Sequence, residues 1–423
     1  MKRVALLLAG LLQAGEAGRP IALGQAQGSR PLESPQLAAL ERAVKAGNPA
    51  AVQQFWNTSA GNAPLIEAIP GDDRMRLITF LWRGEEGARD LDLKLVGYLP
   101  PNIDQQPLRR LGQTNVWFLS VRLPAAARFT YGFTDPLGRK RAIRDPLNPL
   151  SAGNASLAEL PAAPPQTWIR VQPSVLKGAI KQDTLASDFL KERRVVSVYT
   201  PASYGAGSQR YGVLVLLDGE AYRTEIPTPI ILDNLAASRR ISPLVALLVH
   251  SGQTRDRDLQ CSPAFADFLA KELLPWARRR YRLSADPTRT TVGGSSFGGL
   301  AAACSAFRHP ETFGNVLAQS GSFGFFPGWN DEGAQTDDAQ YGWLTRRFAA
   351  SRRLPTRFYL EAGLFETGRG GSILTESRRL RDVLEAKGYF VVYSEFAGGH
   401  EYLNWRGSLA DGLIALAGRR QKP

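Results

Sequence analysis

Cysteine and histidine are both scarce in this chain of 423 residues, which has two of the former and three of the latter. Two cysteines exclude a disulfide-dense scaffold and a zinc site made of four thiolates. Histidine is the side chain best suited to proton transfer at neutral pH. Because the candidates are His250, His309 and His400, a catalytic histidine can be sought by elimination.

Apolar runs long enough to cross a bilayer are also lacking. The run at residues 4–12 follows two basic residues and precedes small and polar ones. A spanning helix needs about 20 apolar residues, so this layout indicates a secretory signal peptide instead. We predict a signal peptide over residues 1–26 and an exported, for example periplasmic, protein without stable membrane insertion. An uncleaved segment, forming a buried helix in a cytoplasmic protein, is the alternative. Export would permit a Cys261–Cys304 disulfide, and a buried free thiol at Cys304 is the other possibility.

Acidic residues are outnumbered: 39 Asp and Glu stand against 52 Lys and Arg, which gives a formal net charge of +13. This excess favours an anionic partner, which can be nucleic acid, a membrane surface or a small molecule. Long blocks of basic residues and nucleic-acid-binding motifs are lacking, so the positive charge is dispersed. We therefore expect an anionic small molecule and no nucleic acid.

The front of the chain has a β-rich pattern. Two short helical patterns, at residues 35–47 and 49–55, come first. Strand patterns follow without long helices between them, which is typical of a small β-sandwich; they lie at residues 75–83, 91–99, 115–123 and 128–134. The proline-rich segment 161–165 is typical of a linker. We predict an N-terminal β-sandwich-like domain over residues 27–168.

Residues 169–423 have a different pattern, in which short apolar segments alternate with helices. The predicted strands are 195–200, 213–217, 244–249, 288–292, 316–319, 358–361 and 390–396, and the predicted helices are 265–281, 298–307 and 372–387. Such alternation indicates a mostly parallel sheet covered on both faces, an α/β fold. The functional site should lie at the carboxyl ends of its strands.

One turn has the pattern of a nucleophile elbow. The sequence GSSFG at residues 294–298 fits G-x-S-x-G, with Ser296 at the nucleophile position. An apolar strand precedes it and a helix follows, as an elbow requires; a glycine-rich structural turn is the alternative. The N–H of Phe297 would then face a developing oxyanion, and a second donor is expected from the loop 218–220, at Glu220.

Elimination assigns the base. His309 lies beside Pro310 at a predicted helix end and is expected at the surface, and His250 precedes the serine. Hydrolases with this elbow have the chain order serine, acid, histidine. His400 satisfies that order, with a plain loop histidine as the alternative.

The acid should lie between the serine and His400 in the chain. Glu361 lies at the end of a predicted strand, and Glu366 lies in the loop beyond Gly363. We favour Glu366, because the loop lets its carboxylate reach the imidazole, fix its tautomer and stabilise the imidazolium. Glu361 remains the alternative.

These residues resemble the enterochelin (enterobactin) esterase family, serine hydrolases that release iron from catecholate siderophores. In the back half the similarity includes LLDGE at 216–220, RDRDLQC at 255–261, GSSFGGL at 294–300, QSGS at 319–322, EAG at 361–363 and GGHEYLNWRG at 398–407. In the front half FLWR at 80–83, NVW at 115–117 and DPLNP at 145–149 match the family's N-terminal domain. One departure is Ser295, where the family often has Gln.

The resemblance implies an α/β-hydrolase catalytic domain with a triad of Ser296, Glu366 and His400. It also implies a ferric catecholate siderophore as substrate, with iron bound through that ligand, no cofactor and no metal site of the protein's own. Arg255 is expected to face this trianionic substrate, or else to pair within its own Asp-rich turn. We further predict contacts from Arg406 and from Trp405, which would stack on a catechol ring or pack the last helix. The oligomeric state stays open.

Two other functions fit the same residues. An exported carboxylesterase for feruloyl or acetyl esters would use the same triad but does not need the excess positive charge. A non-catalytic siderophore- or glycan-binding protein on a hydrolase scaffold would not need the order serine, acid, histidine.

Overall fold

A computed structural model describes residues 33–85, 93–134, 142–205, 207–328, 341–368 and 372–418. The predicted signal peptide lies outside these residues. Within the described part of the chain, no helix combines the length and the apolar character needed to cross a membrane.

The described residues of the front half form two helices and eight strands. Ser34 caps the first helix, accepting a hydrogen bond from the N–H of Leu37. The elements are α1 (Pro35–Lys45), α2 (Ala51–Ser59), β1 (Leu65–Ile69), β2 (Asp72–Arg83), β3 (Leu95–Gly97), β4 (Arg109–Arg110), β5 (Val116–Pro124), β6 (Arg128–Phe133), β7 (Ser151–Ala152) and β8 (Ala155–Glu159).

These strands form two four-stranded sheets, in the orders β1-β2-β5-β4 and β3-β6-β8-β7. Side chains from both sheets form one core, in which the rings of Phe80 and Tyr131 lie 4.8 Å apart. The domain is therefore a small sandwich, and α1 and α2 cover the other face of the first sheet. Residues 91 and 92 of the strand predicted over 91–99 lie outside the described residues, and its described part forms the shorter strand β3. The strand β1 was not predicted.

A segment without long elements joins the two halves. It contains a short 3₁₀ helix, Thr167–Ile169, and the side chain of Gln166 donates to the backbone oxygen of Leu403 at 2.6 Å. The predicted boundary near residue 168 lies in this segment.

The back of the chain alternates strands and helices. Its elements are β9 (Ala179–Ser187), β10 (Glu192–Thr200), β11 (Gly212–Leu217), α3 (Ala221–Thr224), α4 (Thr228–Ala237), β12 (Leu244–Val249), α5 (Arg255–Leu259), α6 (Pro263–Asp267), a π-helical turn (Phe268–Leu273), α7 (Leu274–Arg280), a 3₁₀ turn (Pro287–Arg289), β13 (Thr290–Ser295), α8 (Phe297–Arg308), β14 (Asn315–Gln319), α9 (Trp343–Ala350), β15 (Arg357–Gly363), α10 (Ile373–Ala386), β16 (Phe390–Phe396) and α11 (Tyr402–Ala417).

One eight-stranded sheet, in the order β16-β15-β14-β13-β11-β12-β10-β9, organises this half. The strands β11 to β16 pair in parallel, and β10 and β9 are antiparallel additions at one edge. Successive residues of β11 belong to different cores: Val215 packs in one and Leu214 and Leu216 in the other. Both faces are thus covered, which confirms the predicted α/β class.

The structure also tests two expectations about residues outside the sheet, the state of the cysteines and the position of His309. Cys261, which follows α5, forms a disulfide with Cys304 of α8, so the free-thiol alternative does not hold in this structure. The expectation that His309 lies at the surface is wrong. His309 is buried, and its ring nitrogens lie 2.6 Å from Asp267 and 3.0 Å from Glu311. The imidazole thus ties the end of α8 to α6.

Candidate active site

Ser296 lies at the sharp turn between β13 and α8, near the centre of the sheet. Its backbone has φ 56° and ψ −125°, a conformation that side chains rarely adopt. A Cβ on Gly294 would lie 2.8 Å from the backbone of Gly298, so the first glycine of the motif leaves room for this turn. The turn projects Ser296 at the carboxyl edge of the sheet, where its side chain is partly exposed.

The hydroxyl of Ser296 lies 3.3 Å from that of Ser322, in the loop after β14. That loop is fixed to the turn, because the N–H of Ser322 donates to the backbone oxygen of Ser296 at 3.1 Å. Among the described residues, Ser296 and His400 form no direct hydrogen bond. Catalytic hydrogen bonds often tighten only when substrate binds, so the lack of this hydrogen bond is compatible with a triad.

His400 is paired with Glu366. Its Nδ1 lies 2.6 Å from Glu366 Oε1, and Glu366 Oε2 accepts the N–H of Gly363 at 2.6 Å. Glu366 is buried, whereas His400 is about a third exposed. Because the carboxylate accepts from Nδ1–H, Nε2 is left free to accept a proton. The geometry therefore favours Glu366 over Glu361 as the partner of the imidazole.

Glu361 belongs to a buried network instead. Its carboxylate accepts hydrogen bonds from Gln319, Tyr359 and Ser408, at 3.0, 2.8 and 2.6 Å. Burial raises the pKa of Glu361 to about 7 against these stabilising hydrogen bonds. Since Gln319 ends β14 and Ser408 lies on α11, this carboxylate joins the strand to the helix beneath the candidate site.

Trp405 lies behind His400 and is 3% exposed. The two rings are perpendicular with centroids 4.8 Å apart, and the indole N–H donates to the Ser320 hydroxyl at 2.9 Å. Stacking of Trp405 on a catechol ring, one of two sequence-based alternatives, is not compatible with this burial. Trp405 instead links the His400 loop to the loop after β14.

The predicted oxyanion donors lie at two adjoining backbone turns. Phe297 is the first residue of α8, and Glu220 precedes α3 after Asp218, whose φ is 55°. The Glu220 carboxylate accepts the N–H of Ser251 at 3.0 Å and lies 3.4 Å from His250 Nδ1. The donor roles of Phe297 and Glu220 stay predictions, but both residues lie at this edge of the sheet.

Arg255 begins α5 and pairs with the loop after β11. Its Nε and Nη2 each donate to an Asp218 carboxylate oxygen at 2.7 Å, and its Nη1 lies 3.2 Å from Asp256. The hydrogen bonds to Asp218 raise the pKa of Arg255, so it remains cationic. Its main partner therefore lies outside its own turn. The side chain is 35% exposed, which leaves part of the guanidinium accessible.

Arg406 lies at the junction of the two halves. Its Nε donates to the side-chain oxygen of Gln166 at 2.8 Å. Burial lowers the pKa of Arg406, although the carboxylates of Glu401, Glu159 and Glu225 partly compensate. A contact between Arg406 and substrate stays a prediction.

The described residues contain no group of side chains suited to bind a metal ion of the protein's own. No cluster of three or more His, Cys, Asp or Glu side chains is arranged to hold a metal in those residues.

Comparison with known proteins agrees with this fold and site. A family model described as putative esterase matches residues 187–416, and one described as enterochelin esterase, N-terminal, matches residues 77–139. The iron(III) enterobactin esterase of Dickeya dadantii is 31% identical over 414 residues, which is 86% of this chain and 93% of that protein. The iron(III) salmochelin esterase of Escherichia coli O6:H1 is 27% identical over 413 residues, 90% of this chain and 98% of that one.

Solved structures give the same result. The ferric enterobactin esterase from Salmonella typhimurium superposes with a TM-score of 0.67 at 27% identity, over 86% of this chain and 98% of that one. The enterobactin esterase from Shigella flexneri, determined in the presence of enterobactin, has a TM-score of 0.64 at 28% identity and covers 86% and 97%. Fold and site together define an esterase with an α/β-hydrolase catalytic domain. More narrowly, the chain belongs to the enterochelin esterase family.

Proposed function

We propose that this protein hydrolyses the ester bonds of a ferric catecholate siderophore such as enterobactin and thereby releases its iron. The observation that carries the proposal is the 2.6 Å pair of His400 and Glu366 beside the strained turn of Ser296. The names of the relatives supply the substrate class. Iron would enter the site only as part of the substrate, and we expect no cofactor.

The proposed reaction is acyl transfer through Ser296. Its hydroxyl oxygen attacks the ester carbonyl carbon while His400 Nε2 takes the hydroxyl proton. Glu366 stabilises the imidazolium, and the N–H groups of Phe297 and Glu220 would bind the oxyanion. The imidazolium then protonates the leaving alkoxide, which yields an acyl-enzyme. Water, deprotonated by His400, hydrolyses that intermediate and restores Ser296.

Electrostatics support an anionic substrate. The chain has a formal net charge of +13, and a positive field raises the rate at which an anion is captured. Asp218 holds the Arg255 guanidinium at the carboxyl edge of the sheet, where a substrate would approach Ser296. This arrangement supports Arg255 as a substrate contact.

We also propose that the protein acts after export. The signal-like pattern at residues 1–26 and the Cys261–Cys304 disulfide support this location, because disulfides persist in oxidising compartments. Pulse-chase labelling followed by cell fractionation would test it. Retention of the full-length chain in the cytoplasm with free thiols would contradict the proposal.

The decisive experiment is to incubate the purified protein with ferric and iron-free enterobactin and to separate the products by chromatography. We expect linear trimer, dimer or monomer of the acylated serine from the wild type and intact trilactone with Ser296→Ala. Cleavage of methyl ferulate without cleavage of enterobactin would instead identify a feruloyl-type carboxylesterase. Binding of enterobactin without labelling by a serine-reactive phosphonate would identify a non-catalytic binding protein.

A further inference from the structure

The strand β6 of the N-terminal domain lies against the two loops that carry Glu366 and His400. The second of these, residues 397–401, is called the histidine loop below. The N–H of Arg128 donates to the backbone oxygen of Ala397 at 2.9 Å. On the next residue, the ring of Phe129 contacts the ring of Phe365, with centroids 6.0 Å apart. Consecutive residues of β6 thus contact the segments just before His400 and Glu366.

The third contact of β6 is the most specific. The Glu401 carboxylate accepts the N–H of Thr130 at 3.0 Å and its hydroxyl at 2.7 Å, so both donors of Thr130 are used. Both residues are buried, with Glu401 6% exposed. Glu401 directly follows His400, and its backbone oxygen accepts the N–H of Asn404 at the start of α11. One residue therefore joins the histidine loop, the last helix and the N-terminal domain.

The histidine loop has no space to move towards the N-terminal domain. A Cβ on Gly399 would lie 2.6 Å from the backbone oxygen of Tyr98, and one on Gly398 would lie 2.8 Å from that of Arg128. Backbone from the two domains is therefore in direct contact on this side of His400. The contact fixes where the loop runs, and the Glu401 hydrogen bonds fix its register against β6.

Burying a carboxylate between two domains costs free energy, because the charged group loses its hydration. Burial raises the pKa of Glu401 to about 7, although its hydrogen bonds to Thr130 and the charge of Arg406 oppose this shift. An apolar contact would give similar adhesion without desolvating a carboxylate. The carboxylate fixes the orientation of the contact, because its two oxygens accept the N–H and the hydroxyl of Thr130 in one geometry.

We propose that Thr130 and Glu401 are positioning residues, through which the N-terminal domain holds His400 in line with Ser296. The active site is then completed by a strand outside the catalytic domain. This inference rests on the proposed triad, because it concerns the orientation of His400 relative to Ser296. It does not depend on which ester is the substrate.

The principal variant is Thr130→Val, which keeps the shape and the backbone N–H and removes the hydroxyl. A misplaced catalytic group lowers turnover by about 10- to 100-fold, and we expect a loss of kcat in this range with KM nearly unchanged. Thr130→Ser should restore most of the activity. Glu401→Gln should retain most of it as well, because the amide can accept the N–H and donate to the hydroxyl.

The control is Thr79→Val. Thr79 is buried in the same domain, and its hydroxyl bonds to that of Ser120 at 2.8 Å. In the described structure, the strands that carry this pair, β2 and β5, form no hydrogen bond with residues 397–401. Both valine variants lose one buried hydroxyl hydrogen bond, so the melting temperature should fall to a similar extent. A purely structural role predicts equal kcat values for both, whereas positioning predicts a loss of kcat in Thr130→Val alone.

Activity should be measured on a neutral p-nitrophenyl ester and on ferric enterobactin, together with the rate of phosphonate labelling of Ser296. The neutral ester and the phosphonate report on the triad whatever the natural substrate is. Failure of the wild type on enterobactin alone would overturn the proposed substrate and leave this inference intact. Wild-type kcat in Thr130→Val, or no rescue by Thr130→Ser, would overturn the inference. Equal losses in Glu401→Gln and Glu401→Ala would overturn it too.

Discussion

Ser296 combines a backbone conformation that few residues tolerate with a hydroxyl that lies 3.3 Å from the hydroxyl of Ser322. Strain of this kind is retained where the surrounding structure enforces it, and it is common at active sites. Because the hydroxyl contributes chemistry rather than packing, its removal should leave the fold intact.

We therefore expect Ser296→Ala to abolish ester hydrolysis with an unchanged melting temperature. Ser295→Ala is the matched control, since Ser295 is the buried last residue of β13 and not the elbow residue. It should keep substantial activity. Steady-state assays and thermal unfolding of both variants measure this difference, and the opposite pattern would mean that the motif had been assigned in the wrong register.

Glu366 and Glu361 differ in what they touch, so their variants should differ in what they lose. In Glu366→Gln the neutral amide, which can also donate from its NH₂ group, no longer holds the proton on His400 Nδ1. The tautomer with its proton on Nε2 could then form, and it cannot accept the proton of Ser296. Loss of such a carboxylate lowers kcat by about 10⁴-fold. Glu361→Gln keeps its buried hydrogen bonds with the amide in place of the acid, and kcat should change little. Comparable, small losses of kcat in both variants would indicate a serine–histidine pair without an acid.

The raised pKa of Glu361 has a consequence for stability. Its pKa is about 7 in the folded protein against 4.5 ordinarily. The folded state therefore binds the proton more tightly, and the free energy of unfolding should fall as the pH rises between these two values. Each unit of pKa shift corresponds to about 1.4 kcal/mol. Glu361→Gln should reduce this slope, and Glu401, whose pKa is raised similarly, should account for part of the remainder.

Urea unfolding of the wild type and Glu361→Gln at about pH 5 and about pH 8 measures this slope. Identical pH dependence in the two proteins would show that Glu361 titrates in the folded state as it does in the unfolded chain.

At the scale of elements, the disulfide connects the segment that carries Arg255 to the helix that begins at the nucleophile turn. It joins Cys261, after α5, to Cys304 of α8 across 43 residues of sequence. Closing a loop of this size restricts the unfolded chain and typically stabilises a protein by about 2–4 kcal/mol. The free energy of unfolding should fall by this amount in a Cys261→Ser, Cys304→Ser double variant.

The double variant also isolates the effect of a reducing agent. Reductant should lower the melting temperature of the wild type towards that of the double variant and leave the latter unchanged. A wild-type melting temperature that does not respond to reductant, with thiols shown to be free, would contradict a stabilising role.

Elements with a strong local pattern could be predicted from the sequence, and others could not. The parallel strands are short apolar runs and the Ser296 turn is flanked by glycines. Both can therefore be recognised from a short stretch of sequence. The edge strand β9 is largely exposed and polar, so it lacks the apolar run that marks the others. The helix predicted over 265–281 contains a π-helical turn, Phe268–Leu273, which apolar spacing does not reveal.

The same division applies to the candidate site. The serine, acid and histidine could be predicted from the sequence, because motif and chain order constrain them. The position of the Ser322 hydroxyl, the burial of Trp405 and the contact of His309 with Asp267 depend on which distant segments meet. Such contacts are set by tertiary packing, and no spacing along the chain encodes them.

At the scale of the whole molecule, the excess of positive charge should affect the rate at which an anionic substrate is captured. If it serves an anionic ferric catecholate, added salt should lower kcat/KM for that substrate, because the Debye length falls from about 10 Å at 0.1 M to about 3 Å at 1 M. The turnover number should change less. A neutral p-nitrophenyl ester, assayed in the same buffer and at the same pH, should respond little.

Arg255→Ala should reproduce part of the salt effect on the ferric substrate. This change also leaves Asp218 without its main partner, so the neutral ester serves to measure any general damage to the site. Equal responses of the two substrates to salt and to Arg255→Ala would mean that charge does not govern substrate choice, and would favour a general carboxylesterase.

The contact between β6 and the histidine loop limits how freely this architecture can be recombined. A chimaera that joins this catalytic domain to the N-terminal domain of a relative brings in a foreign strand at the position of β6. It should fold wherever the sandwich core is self-sufficient, yet turn over substrate well only if that strand offers a hydroxyl and an N–H to Glu401. Sequence exchange across the linker should therefore be constrained by the buried pair of Thr130 and Glu401 as well as by the linker itself.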